Sequence, residues 1–245
     1  MCLNRPELSV AGMNNPIALV TGASRGLGLA LASALAREGY TLIIDARDGD
    51  ALAKAAAEIG APLLAGPVTA IPGDITDPAH RAALAAAVDA AGGLDLLVNN
   101  AGTLGASPLP SLADYPVDEL RTAFEVNVIA PVALTQLLLP VLRVRGGAVL
   151  NITSDAAVEA YAGWGGYGAA KAALEQAANV LAAEELTVRV WWADPGDLRT
   201  EMHQRAFPGE DISDRPLPSA VTPGFLRLIG ERLPSGRYRA AELLS

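Results

Sequence analysis

Residues 17–38 constrain the fold more than any other stretch. Ile17–Thr21 is a short apolar run, GASRGLG follows at once, and an Ala/Leu-rich pattern of helical period then runs to Glu38. Gly39 stands where a helix stop belongs. A strand that becomes a helix through glycines allows close packing of helix on sheet. It also lets main chain approach a phosphate held at the helix N-terminus. A glycine triplet alone signals only a tight turn; the strand before it and the helix after it are the context a nucleotide loop requires.

The alternation continues along the chain. Thr41–Ala46 (TLIIDA), Val68–Pro72 (VTAIP), Leu94–Asn99, Ala148–Thr153 and Thr187–Ala193 read as buried strands. Between them Asp50–Ile59, Pro78–Ala91, Val117–Val144 and Gly165–Glu185 read as helices, with Pro78 in a first turn and Pro131 expected to kink the long one. Strands that are apolar throughout, separated by helices, imply a parallel sheet covered on both faces. The expected fold class is therefore α/β, a doubly wound parallel sheet of Rossmann type in three α/β/α layers.

A length of 245 residues suits one such domain, expected over residues 16–245. Apolar residues make up 51% and aromatics 4%, so the core must be built from Ala, Leu, Val and Ile. Residues 1–15 read as a disordered extension, with Met13 as an alternative start, and they lack the apolar centre of a signal peptide. The proline-rich segment 208–223 breaks the rhythm and is expected to be either a surface loop or a substrate lid.

Charge and cysteine usage narrow the function. A net charge of −9 argues against nucleic acid and against an anionic membrane surface. The longest apolar candidate for a membrane span, Val126–Leu142, is interrupted by Asn127, Pro131, Gln136 and Pro140. Cys2 is the only cysteine, so no intramolecular disulfide can form and a reducing cytoplasm fits. His80 and His203 are far apart in sequence, and no metal cluster is readable.

Chemistry concentrates in SDAAVEAYAGWGGYGAAK, from Ser154 to Lys171. Tyr167 and Lys171 lie four apart, one turn above each other on a helix. A free phenol has a pKa near ~10 and is a poor base at neutral pH, but a cation one turn away favours the phenolate. Ser154, at the end of a strand, could hold a carbonyl oxygen. The three make a proton-transfer site for interconverting alcohol and ketone. Y-x-x-x-K alone occurs by chance on many surface helices; the rest of the chain raises it above that.

Taken together these residues resemble the short-chain dehydrogenase/reductase family from about Ile17 to Met202. Thr21 to Gly28 is similar to its T-G-x-x-x-G-x-G loop, Asn99-Asn100-Ala101-Gly102 to its N-N-A-G segment, and Pro195 to Thr200 to its P-G-x-x-x-T turn. Asn127, Ser154, Tyr167 and Lys171 fall at the spacings of its catalytic tetrad. The resemblance implies that Tyr167 moves the substrate proton, that Lys171 holds the nicotinamide ribose and lowers the tyrosine pKa, that Ser154 orients the carbonyl and that Asn127 supports a water. It implies cofactor contacts at Gly22, Ser24, Arg25, Leu27 and Gly28 in the loop, at Asp74 and Ile75 beside the adenine, and at Asn100, Ala101 and Gly102. Pro195, Leu198 and Thr200 would face the nicotinamide. For Asp74 the other reading is a helix N-cap, a task for which Thr76 or Asp77 is better placed.

Cofactor choice rests on Asp45-Ala46-Arg47. A carboxylate at the end of this strand binds a ribose 2′-hydroxyl, whereas an arginine accommodates a 2′-phosphate. Arg47 occupies the basic position, Arg25 could be a second phosphate ligand, and strand alternation should turn Asp45 the other way. NADP is therefore preferred and NAD is the alternative; a one-residue shift in the turn would reverse the order. The expected activity interconverts a secondary alcohol and a ketone, or reduces an aldehyde, with a small carbonyl or alcohol as partner. The rivals are an NAD-linked alcohol dehydrogenase of the same family and a non-catalytic dinucleotide sensor.

Tyr161, Trp164, Trp192, Met202 and Phe207 flank the expected site, Trp192 more as core. Asp155 and Glu159 read as solvated loop, with a hint of a polar substrate. The chain lacks the family's terminal V-D-G-G, which puts a tetramer in doubt and leaves a dimer through Val117–Val144 and Gly165–Glu185 as the expectation.

Overall fold

The computed structural model describes residues 15–61 and 66–244; the expected extension at residues 1–15 lies, but for its last residue, outside them. Seven strands form one sheet: β1 (Ile17–Val20), β2 (Thr41–Ala46), β3 (Val68–Pro72), β4 (Leu96–Asn99), β5 (Ala148–Ile152), β6 (Arg189–Asp194) and β7 (Gly236–Arg239). Every pairing is parallel and the order is β3-β2-β1-β4-β5-β6-β7. The order reverses between β1 and β4, which pair with Val20 opposite Val98, and a crevice opens at their carboxyl ends.

Alternation within β1 shows why the strands are apolar throughout. Ala18 and Val20 face one layer and Ile17 and Leu19 the other. The first layer holds α1 (Gly26–Arg37), α2 (Gly49–Gly60) and, near the C-terminus, α8 (Thr222–Gly230); the second holds α3 (Pro78–Ala91), α5 (Ala130–Arg145) and α6 (Gly165–Glu184). Asp48 caps α2, accepting from the N–H groups of Asp50 and Ala51, which starts that helix a residue early. Asp77 caps α3 through the N–H of Ala79, so the capping role considered for Asp74 belongs to Asp77.

The helix expected over Val117–Val144 is continuous but not uniform. α4 (Val117–Phe124) passes through a π-helical turn at Glu125–Ile129 into α5. The disturbance expected at Pro131 takes the form of a widened turn just before it. Proline lacks an N–H and its ring would meet the carbonyl four residues back, that of Asn127; the wider turn accommodates it. By length and composition alone Val117–Arg145 could cross a membrane; here it packs on the sheet. Two helices were not read from the sequence: the short α7 (Glu201–Ala206) and α8, which begins inside the segment expected to be loop. Within 208–223 the chain is otherwise irregular apart from a 3-10 turn at Pro218–Ala220.

Candidate active site

The glycine turn is built for close approach. A Cβ on Gly28 would lie 2.3 Å from the carbonyl oxygen of Gly22, so only glycine lets α1 start this near the strand end. Thr21 ties the turn to the segment after β4: its Oγ1 accepts from the N–H groups of Asn100 and Ala101, both at 3.0 Å. The Asn100 amide donates to the carbonyls of Thr21 and Gly22. Asn99 points the other way, donating to Thr135 and Asn151 inside the protein. A cleft of about 1000 Å³ lies over this floor. Gly22, Ser24, Arg25, Leu27, Arg47, Ile75, Asn100, Ala101, Gly102, Pro195, Leu198 and Thr200 all line it, as do Ser154, Tyr167 and Lys171. Glycine backbone at a helix N-terminus, with arginines at the rim, fits a dinucleotide.

Three expected contacts stand differently: Gly28 packs against Gly22 outside the cleft lining, and Asp74 and Arg25 are otherwise engaged. Asp74 is exposed and bonded to Thr76, its Oδ1 accepting from that residue's N–H and hydroxyl. Burial acts upward on its carboxyl, but the Thr76 bonds and the charges of Arg47 and His80 outweigh this and hold it below the ordinary value. Asp74 stands outside the cleft lining, while Ile75 beside it is buried there. Arg25 forms an exposed ion pair with Glu201 of α7, across the cleft mouth.

Ser154 closes β5, and its hydroxyl donates to Asp155 Oδ1 at 2.9 Å. Asp155 Oδ2 accepts from the Tyr161 hydroxyl at 3.0 Å. Asp155 is thus a half-buried part of the cleft wall and not the solvated loop residue expected, whereas Glu159 is exposed. Tyr167 is buried, with its ring 5.7 Å edge-on from Trp164, and Trp164, Met202 and Phe207 complete an apolar wall beside it. Trp192 belongs to the core behind the sheet.

The electrostatics differ from the expectation that Lys171 lowers the tyrosine pKa. Burial raises the Tyr167 phenol above its ordinary value, and the carboxylates of Asp194 and Asp155 add to this. Lys171 donates to the Ile152 carbonyl at 2.7 Å, and its Nζ stands 5.6 Å over the tyrosine ring. Burial pulls its ammonium down to about 8, against the influence of Glu175 one turn on. A phenol beside a buried amine is a pair that can exchange a proton with an oxygen held in the cleft.

Asn127 sits in the π-helical turn and is 1% exposed. Its amide donates to the Thr103 carbonyl at 2.8 Å and its oxygen accepts from the Thr103 N–H at 3.0 Å. It braces the chain leaving Gly102 and does not itself line the cleft. Sequence reasoning passed over the support behind the serine. Arg237 of β7 donates to both carboxylate oxygens of Glu175 and to the Ser154 carbonyl, while Thr153 donates to Glu175. Nothing in local sequence links residues 62 positions apart; only the pairing of β6 with β7 does.

A doubly wound sheet with this crevice and these side chains defines an oxidoreductase that works on carbonyl and hydroxyl groups. Comparison with known proteins narrows the class. A family model described as short chain dehydrogenase matches residues 16–211. A rhamnolipid-biosynthesis 3-oxoacyl-[acyl-carrier-protein] reductase of Pseudomonas aeruginosa is 40% identical over 190 residues, covering 73% of this chain and 69% of its own. Bovine sepiapterin reductase is 34% identical over 208 residues, covering 80% and 78%. A short chain dehydrogenase of Shigella flexneri, solved in complex with NADP, superposes with a TM-score of 0.86 at 32% identity, over 94% of this chain and 98% of that one. The chain belongs to the short-chain dehydrogenase family.

Proposed function

We propose that this protein is an NADP-preferring reductase or dehydrogenase that interconverts a secondary alcohol and a ketone, or reduces an aldehyde, with Tyr167 as general acid and base. The carrying observation is that Ser154, buried Tyr167 and buried Lys171 line one cleft with the glycine turn. When bound, the dinucleotide supplies or accepts the hydride. Tyr167 gives its proton to the carbonyl oxygen in reduction and removes it in oxidation. Ser154 orients that oxygen by turning onto it the hydroxyl proton that it otherwise donates to Asp155. Lys171 holds the ribose hydroxyls beside the phenol. Asn127 acts through Gly102, whose Cα faces the amide closely enough that a Cβ would lie 2.9 Å from its oxygen. Arg47, exposed at the rim, receives a 2′-phosphate, a reading supported by the NADP and NADPH complexes of structural neighbours. Segment 208–223 covers the substrate, supported by Leu217, Pro218 and Ser219 in the cleft lining. A lone cysteine fits a reducing, cytoplasmic setting.

The test is a panel of ketones, aldehydes and alcohols with NADPH and NADH, followed at the nicotinamide absorbance. Tyr167→Phe is expected to lose about 10²- to 10⁴-fold in turnover while NADPH binding is kept. Binding kept with turnover unchanged would remove Tyr167 from the chemistry. Arg47→Ala is expected to weaken NADPH by roughly tenfold or more, as loss of a charge-assisted contact should, and to leave NADH unchanged.

A further inference from the structure

Asp45 is the next-to-last residue of β2 and lines the cleft with Ala46 and Arg47. A carboxylate in this part of the fold is the group that takes a ribose 2′-hydroxyl, and its charge repels a 2′-phosphate. Yet here it is buried, 2% exposed, with both oxygens engaged. Oδ1 accepts from the Gly22 N–H at 2.7 Å, and Oδ2 accepts from the imidazole Nε2 of His80 at 3.0 Å.

His80 reaches Asp45 from the first turn of α3, which follows β3, and is itself buried. Room for its ring is made by Gly73, just after β3: a Cβ there would lie 2.2 Å from Nδ1. Residues from three elements therefore converge on one carboxylate, and none of this is needed to pair the strands. A buried carboxylate is stable only while its oxygens have donors. Without the imidazole, Oδ2 would lose its partner, and the side open to replacing it is the cleft that Asp45 lines.

We propose that His80 is a positioning residue for cofactor choice: by holding the Asp45 carboxylate beneath the glycine turn, it keeps that charge from the 2′ position and lets Arg47 act there unopposed. This rests on the NADP reading above. The sequence carried half of it, since alternation turns Asp45 away from Arg47, but the partner that fixes it there was visible only in three dimensions.

The test measures dissociation constants of NADPH and NADH by tryptophan fluorescence, without turnover. Wild type is expected to bind NADPH at least tenfold more tightly than NADH. In His80→Phe, which fills the ring volume but donates nothing, that preference is expected to fall at least tenfold, mostly through weaker NADPH binding. Adding Asp45→Asn, which can still accept from Gly22, should restore the wild-type preference because the freed charge is gone. His80→Ala is measured in parallel, so that a folding failure of one variant leaves the ratio readable in the other. A preference unmoved in the His80 variants, an equal loss for both cofactors, or no recovery with Asp45→Asn would overturn the assignment. Wild type without a preference would overturn the NADP reading and this assignment with it; a wild-type preference that the His80 variants leave intact overturns this assignment alone.

Discussion

Lys171 carries a penalty that can be measured apart from catalysis. Its ammonium is pulled down to about 8 by burial, whereas an unfolded chain holds a lysine near ~10.4. Between those values the unfolded state binds a proton that the folded state has released, so native stability rises with pH across that window, and the penalty is complete below it. The span corresponds to about 3 kcal/mol. The stability difference between wild type and Lys171→Met should therefore move in wild type's favour from pH 8 to pH 10, as read from denaturant curves at each pH. A difference that stays constant would mean that the folded amine titrates like a free one. Ser154, Tyr167, Lys171 and the glycine turn were legible because their chemistry demands those residue types at those separations. The partners of Asp155, Glu175 and Asp45 were not, since hydrogen-bond pairing across strands follows register and packing. His80 is the clearest case: read as a residue too far from His203 to share a metal, it was never weighed as the partner of a carboxylate 35 positions earlier.

Among the elements, β7 does more than extend the sheet. Arg237 donates once to the Ser154 carbonyl and twice to the carboxylate of Glu175, which is one turn from Lys171. Arg237→Ala would leave a largely buried carboxylate with only Thr153 as donor. A loss of about 1–3 kcal/mol is expected, together with reduced turnover, and a thermal melt beside a kinetic assay would check both. This seventh strand, Gly236–Arg239, lies beyond the six read from the sequence. The start of α2 lies one residue before the expected one because the Asp48 cap outweighs the apolar pattern. The long helix shows the same limit from the other side. Proline marked the right neighbourhood, but whether it bends a helix or widens the turn before it depends on what packs around that turn, and here Asn127 is bonded to Thr103 at that point.

Across the whole molecule, one apolar stripe faces outward. Ile129, Leu137 and Val144 on the long helix are 50%, 46% and 85% exposed, and Val180 on the neighbouring α6 is 45% exposed. A dimer through these two helices is the expectation from the sequence. It predicts a wild-type mass of two chains by light scattering, halved in the double variant Leu137→Glu, Val180→Glu; a wild-type mass of one chain would refute the dimer, and a variant mass still of two chains would place its contact elsewhere. The parallel sheet also separates two ends of the protein. The reacting groups stand at the carboxyl ends of the strands, whereas the opposite ends are stitched by Asp95, which accepts from the Ile17 N–H and from Arg145. The polypeptide enters the sheet at that far rim. A fusion partner or solid support joined at Asn15, where the described chain begins, would therefore hold the enzyme by its back, with the mouth of the crevice turned to the solution.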